Sequence, residues 1–254
     1  MKCARVNPLL PLVIGHRGAK KVAPENTLAS IKQAAKSGAT WVEVDVQLSS
    51  DSIPILIHDS TVDRTTDGLG EIKALDLTSI KLLDAGGWFS SKFSGETIPT
   101  LQEALKICNQ LKLGINIEIK PGSAPSGKIV KTIISVLHTF GDDFCGRLLF
   151  SSFDAEIIEM LQATAPQWPR GLLVESIYDN LKNDLDRLEC FSIHPAISCL
   201  ETTQHIKGAL KFGLPIVPYT VNDFLTGQRL IKHGIHSFIT DDPEIFPVNT
   251  HISF

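Results

Sequence analysis

No apolar run in this 254-residue chain approaches the roughly 18 residues that a membrane-spanning helix needs, so integral membrane association is not expected. A basic run is missing too, and the net charge is −4, which leaves a nucleic-acid partner without an electrostatic footprint. Neither of the glycine-rich phosphate loops, Gly-x-x-x-x-Gly-Lys-Ser/Thr or Gly-x-Gly-x-x-Gly, occurs, which sets aside nucleotide-binding folds built on them. There is no internal repeat, low-complexity segment or linker, so a single domain over residues 1–254 is expected. Cysteine is scarce: Cys3, Cys108, Cys145, Cys190 and Cys199 are odd in number, widely spaced and never in a Cys-x-x-Cys pair. That pattern reads as reduced thiols of a cytoplasmic protein. Lys2 and Arg5 ahead of Leu9–Ile14 faintly resemble a secretion signal, but the run is short and broken by Pro11, and it reads better as a first strand.

What the chain does contain is strand-like alternation. In Trp41–Gln47 the side chains of Trp41, Glu43, Asp45 and Gln47 share one face, and Val42, Val44 and Val46 share the other. One face is aliphatic and must be buried, so the two carboxylates opposite look into a polar site or into water. The next apolar run, Ile53–His58, follows after a gap far too short for a parallel crossover, so the two runs are expected to pair as an antiparallel hairpin with His58 roughly opposite Glu43.

Further β-type runs lie at 12–16, 113–119, 148–152, 171–174, 190–194, 215–221 and 236–240. Helical spacing covers 27–37, ending at Gly38, and 128–138, 155–163, 204–212 and 224–233, while Thr100-Leu-Gln-Glu103 is a capping box opening a helix to Leu111. With the 53–58 run assigned to the hairpin, eight strands alternate with helices, the number a (β/α)8 TIM barrel requires. Residues 60–100 break this rhythm with turn-rich sequence and a short helix around Leu75–Leu83, and are expected to form an inserted lobe next to His58.

In such a barrel the functional groups sit at the C-terminal ends of the strands. There the chain carries His16-Arg17, Glu43 and Asp45, Glu118 and Lys120, Ser151-Ser152, His194, Tyr219 with Asn222, and Thr240-Asp241. Ile115–Lys120 alternates as 41–47 does, which puts Glu118 on the face of Glu43 and Asp45. Such a carboxylate cluster repels itself and calls for a cation; oxygen-only ligands favour one hard divalent ion, magnesium or calcium. The competing reading is a structural ion pair of Glu118 with Lys120 or Arg17. His16 and His58, near the same carboxylates, could supply a general acid and a general base. Arg17 and Lys120 suit a phosphate oxygen, or simply neutralise the acids. Trp88, Phe89, Phe153 and Tyr219 either wall a pocket or belong to the core.

Together, Gly15-His16-Arg17-Gly18, Ala23-Pro24-Glu25-Asn26-Thr27, Glu43-Val44-Asp45-Val46, His58-Asp59 with Asp63-Arg64-Thr65-Thr66, Asn116–Pro121, Ser151-Ser152-Phe153 and Tyr219–Asn222 resemble the glycerophosphodiester phosphodiesterases, most closely the short cytosolic bacterial members. The resemblance runs from the first strand to Thr240-Asp241-Asp242. It implies a phospholipase-C-like TIM barrel with an inserted lobe, and a divalent cation held by Glu43, Asp45 and Glu118. It makes His16 and His58 the acid/base pair, with Arg17, Lys120, Phe153, Tyr219 and Asn222 as substrate contacts. The expected reaction is metal-dependent hydrolysis of a small-molecule glycerophosphodiester to sn-glycerol 3-phosphate and an alcohol through a cyclic phosphate. Which histidine starts as base stays open, as do the alcohol and the formation of a homodimer. The alternatives are a lysophospholipase D or other lipid phosphodiesterase, and a noncatalytic binding barrel. One departure is Asp242, an acid where the family often has a base, which is expected to alter the field at the rim.

Overall fold

The structure is a computed structural model that describes residues 6–122 and 124–246; Cys3, Lys2 and Arg5 lie outside them. Its centre is a parallel sheet in the order β7-β6-β5-β4-β2-β1-β8, with β3 paired to β2 off this path. The strands are β1 (Val13–Gly15), β2 (Trp41–Leu48), β3 (Pro54–Leu56), β4 (Gly114–Ile119), β5 (Leu148–Ser152), β6 (Arg170–Val174), β7 (Ser192–Pro195) and β8 (Phe238–Thr240).

Residues 215–221, expected as a regular strand, lie between β7 and β8 without forming one. Pro215 and Pro218 have no N–H to give to a ladder. The segment still bonds both neighbours: Val217 N–H donates to Ile193 O (2.9 Å) and Tyr219 N–H to Pro195 O (3.1 Å), while Ile239 N–H donates to Pro218 O and Val221 N–H to Ile239 O. These bonds close the sheet into the (β/α)8 barrel.

Closure explains the alternation. All eight residues of β2 are buried, because its aliphatic face packs under the helices and its other face fills the barrel interior. Trp41 joins Ile14, Leu149, Val217 and Ile239 in an apolar floor, and Glu43 and Asp45 stand above it. The hairpin forms as expected, with Val46 opposite Leu56 and Gln47 opposite Ile55. Continuing this register sets His58 beside Val44, one residue from the anticipated partner.

The helices are α1 (Leu28–Lys36), α2 (Leu77–Ile80), α3 (Leu101–Gln110), α4 (Ser126–His138), α5 (Ala155–Thr164), α6 (Leu181–Arg187), α7 (Thr203–Leu210) and α8 (Phe224–Lys232). Thr100 and Glu103 make both bonds of the capping box on α3. The sequence pattern gives no helix at the short α6, whose apolar stripe is only Leu181, Leu185 and Leu188 amid charged residues. Among the described cysteines, Cys108, Cys190 and Cys199 are free. Cys145 is disulfide-bonded, which corrects the expectation of five reduced thiols.

Between β3 and α3 the chain builds a second small core from Ile55, Ile57, Val62, Ile72, Ile80, Ala85 and Ile98. The anticipated helix here shrinks to α2. Asp84 organises the following loop: Oδ1 accepts from Gly86 N and Gly87 N at 2.8 Å each, and Oδ2 from Ser94 Oγ at 2.9 Å and Gly95 N at 3.0 Å. These bonds hold its carboxyl well below the ordinary range. Asp84→Ala is expected to loosen the 84–96 loop, seen as faster proteolytic cleavage there and a lower Tm.

Candidate active site

The turn after β1 is shaped by backbone needs. Gly18 has φ +87°, and a Cβ there would lie 2.4 Å from Ser30 Oγ, so only glycine fits. This turn aims Arg17 N–H at Glu43 Oε2 (2.9 Å) and sets the Arg17 guanidinium between acids, with Nη1 2.6 Å from Glu25 Oε1 and Nε 3.1 Å from Asp45 Oδ2. Asn26 closes the same side, donating from Nδ2 to Asp45 Oδ2 (2.8 Å) and accepting from Asp45 N–H.

His16 is largely buried, with Nδ1 2.5 Å from Asp241 Oδ1 and Nε2 3.9 Å from Glu43 Oε2. Burial lowers its pKa against the opposing pull of the Asp241 hydrogen bond, so the ring favours the neutral form. With Asp241 as acceptor, the proton sits on Nδ1 and the Nε2 lone pair is turned towards the carboxylates. Asn222 Nδ2 in turn donates to Asp241 Oδ2 (2.7 Å). Asp242 points to a separate pair, 2.9 Å from Lys21 Nζ.

His58 is held in a similar way. Its Nδ1 lies 2.7 Å from Asp59 Oδ1. Gln47 Nε2 donates to the carbonyls of Ile57, His58 and Asp59, which fixes the turn leaving the hairpin. Arg64 then grips two carboxylates at once: Nε and Nη2 donate to Asp59 at 2.6 and 3.1 Å, and Nη1 and Nη2 to Glu25 at 2.9 and 2.8 Å. It ties the partner of His58 to the partner of Arg17. Arg64→Ala is expected to lower kcat about tenfold through loss of charge-assisted bonds. Arg64→Lys should rescue little of this in a kinetic assay, because an ammonium cannot reproduce the fork.

Parallel pairing of β2 and β4 sets Asp45 directly beside Glu118. Carboxylate oxygens of Glu43, Asp45 and Glu118 all lie within 4.8 Å of one another, and all three residues are buried. Glu43 is pushed well above its ordinary pKa by burial and by repulsion from Asp45 and Glu118. Glu118 is pushed up to about 7 by burial and Asp45. Asp45 resists burial and stays below its ordinary value because Arg17 and Lys120 are close. Lys120 Nζ lies 2.6 Å from Glu118 Oε1 and 3.5 Å from Asp45 Oδ1, so the anticipated ion pairs exist. They do not complete the site: Glu43 Oε1 is buried with no hydrogen-bond partner among the described residues. An orphaned carboxylate oxygen facing two further acids is a donor set that suits a hard divalent cation.

Beyond Lys120 the wall becomes aromatic. Its Nζ lies 5.8 Å from the Phe153 ring centre, and Phe153 meets Tyr219 edge to face at 5.8 Å. The ten residues expected to act as catalysts, metal ligands or substrate contacts therefore fall into one connected network at the rim, Asn222 joining it through Asp241. The partner residues Asp59, Arg64, Glu25, Asn26, Gln47 and Asp241 were not assigned roles. Several stand inside the quoted sequence pieces, but only folding reveals what each one holds.

Residues 16–245 match the Glycerophosphoryl diester phosphodiesterase family. A glycerophosphodiester phosphodiesterase of Caldanaerobacter subterraneus subsp. tengcongensis is 39% identical over 233 residues, covering 92% of this chain and 95% of the relative. Among solved structures, an Oleispira antarctica phosphodiesterase in complex with the product sn-glycerol-3-phosphate superimposes with a TM-score of 0.86 at 36% identity, covering 92% of this chain and 94% of that one. A glycerophosphodiester phosphodiesterase from Agrobacterium tumefaciens superimposes with a TM-score of 0.76 at 28% identity, covering 95% and 99% of the two chains.

Proposed function

This chain belongs to the glycerophosphoryl diester phosphodiesterase family, and from that premise we propose that it hydrolyses glycerophosphodiesters to sn-glycerol 3-phosphate and an alcohol, with a divalent cation and by way of a cyclic phosphate. The observation that carries this reading is the buried Glu43, Asp45 and Glu118 cluster, with His16 beside it and a second carboxylate-held histidine, His58, at the hairpin end. A magnesium or calcium ion held by these three side chains would act as a Lewis acid towards a phosphoryl oxygen.

The residues of the chain divide the proton work. Burial keeps His16 neutral with a free Nε2, which suits it to accept the proton of the glycerol hydroxyl next to the phosphoester. That oxygen bonds to phosphorus, the bond to the departing alcohol breaks, and His58 donates its proton to the leaving oxygen. Water then opens the ring with the roles reversed: His58 takes a proton from water, the new oxygen–phosphorus bond forms, and His16 returns its proton to the released hydroxyl. Arg17 and Lys120 stabilise negative charge on the phosphoryl oxygens. Asp241 and Asp59 hold the two rings in register, and the 60–100 lobe carries Arg64 into this arrangement. A second reading, a lysolipid diester as substrate, draws support from the exposed Leu69, Leu82 and Trp88 of the same segment.

The test is release of glycerol 3-phosphate from a panel of choline, ethanolamine, glycerol and inositol diesters beside a lysolipid, with phosphorus NMR to follow a cyclic product. Turnover of the lysolipid alone would favour the second reading. No turnover of any diester would sink both.

A further inference from the structure

The end of β6 carries a carboxylate that the chemistry above does not use. Leu172 and Val174 pack outward into the main core, so Gly171, Leu173 and Glu175 share the interior face. Gly171 agrees: a Cβ there would meet His194 Nε2 and Ser192 Oγ at 2.6 Å, inside the barrel. Val174 pairs with Pro195, so Glu175 stands beside Ala196, and Ala196 bridges to Tyr219. Glu175 is exposed and has no ion-pair partner among the described residues. Its main chain is pinned by Cys199, whose Sγ donates to Glu175 O at 3.3 Å.

Between this carboxylate and the acidic cluster runs the aromatic wall. Tyr219 Oη donates to Val174 O at 3.4 Å, just before Glu175, and its ring meets Phe153, which lies under Lys120. Phe153 is 39% exposed, so its face is available to a ligand. A cleft of about 470 Å³ is lined by Glu175 together with Ile177, Cys199, Gln204 and His205. Among the described residues, none of those lining it is Lys or Arg. An unpaired carboxylate at the end of an aromatic wall, with Tyr219 feeling the charges of both Glu175 and Glu118, suits an organic cation.

We propose that Glu175, with Phe153 and Tyr219, binds the positively charged amine of the departing alcohol, so that this site prefers diesters of ethanolamine or choline to those of neutral polyols. The inference rests on the phosphodiesterase reading. A diester whose phosphate sits at the acidic cluster would run its alcohol along the Phe153–Tyr219 wall towards Glu175, and a neutral polyol would gain hydrogen bonds there but no charge pairing.

The test compares kcat/KM for glycerophosphocholine and glycerophosphoinositol in the wild type and in Glu175→Gln. The expected result is a preference for the choline diester that falls about tenfold in the variant, carried by KM. A wild-type ratio near one, or a ratio that Glu175→Gln leaves in place, overturns the proposal. Choline chloride binding by calorimetry separates this failure from failure of the activity itself. If no diester is cleaved, the phosphodiesterase reading falls, while choline binding that weakens in Glu175→Gln still supports the cation site and its absence overturns it.

Discussion

His16→Ala is expected to lower kcat by about a thousandfold, within the range of general acid–base contributions, and His58→Ala by a similar factor. The double variant should be little worse than either single, because the proposed mechanism has both histidines serve one proton circuit. Asp241→Asn provides the finer test. Asp241 sets the Nδ1 proton of His16 and thereby frees Nε2, so an amide there permits the opposite tautomer and should cost about a hundredfold in kcat with little change in KM. Steady-state kinetics on a water-soluble diester reads all four proteins. Retention of full activity in the double variant would remove both histidines from the mechanism.

Removing divalent cations with a chelator should abolish turnover, and magnesium or calcium should restore it. The same treatment should leave a stability signature. Glu118 has a folded pKa of about 7 against an ordinary value of 4.5. The folded state therefore binds its proton more tightly than the unfolded state, and the contribution is present below the unfolded value and is lost as pH rises through about 7. Tm of the chelated protein should accordingly fall between pH 4.5 and about 7. Glu118→Gln should make that slope shallower, Glu43 supplying the rest, and a saturating divalent cation should flatten it in the wild type by neutralising the cluster. At 100-fold excess over Kd the cation adds about 2.7 kcal/mol of stability. Glu43→Gln should lose most of this gain while raising the stability of the chelated protein, since it removes a buried, repelled carboxylate. A cation-induced shift that survives in Glu43→Gln would refute the assignment of Glu43 as a ligand.

How far the sequence could be read depends on the range of the interaction involved. The 41–58 hairpin is legible because a short gap permits only antiparallel return, and its register missed by one residue because the centre of the turn is not marked. The capping box of α3 is local and forms as written. By contrast, 215–221 has strand-like composition, but its two prolines interrupt the ladder, and only its neighbours β7 and β8 show that it still closes the ring. α6 leaves little trace in the sequence because Leu181 and Leu185, with Leu188 just past its end, suffice for a short helix that packs on an existing core. Spacing alone suggests reduced thiols, yet disulfide bonding of Cys145 depends on proximity in space.

The same distinction divides the candidate site. Alternation alone puts Glu43 and Asp45 on one face and Glu118 on the face of another strand, because side-chain direction on a strand depends only on parity. Whether those faces meet water or one another depends on barrel closure, which buries both sides of β2 and brings the three carboxylates within 4.8 Å. Closure also decides the electrostatics: burial and mutual repulsion raise Glu43 and Glu118, while Arg17 and Lys120 keep Asp45 ionised. The pairing of Asp241 with His16 spans 225 residues, and the grip of Arg64 on Glu25 spans 39. No local pattern encodes contacts of that separation. The residue types and the faces they occupy follow from the chain's own periodicity; their partners and charge states follow from packing, because only the closed barrel excludes water from the groups it brings together.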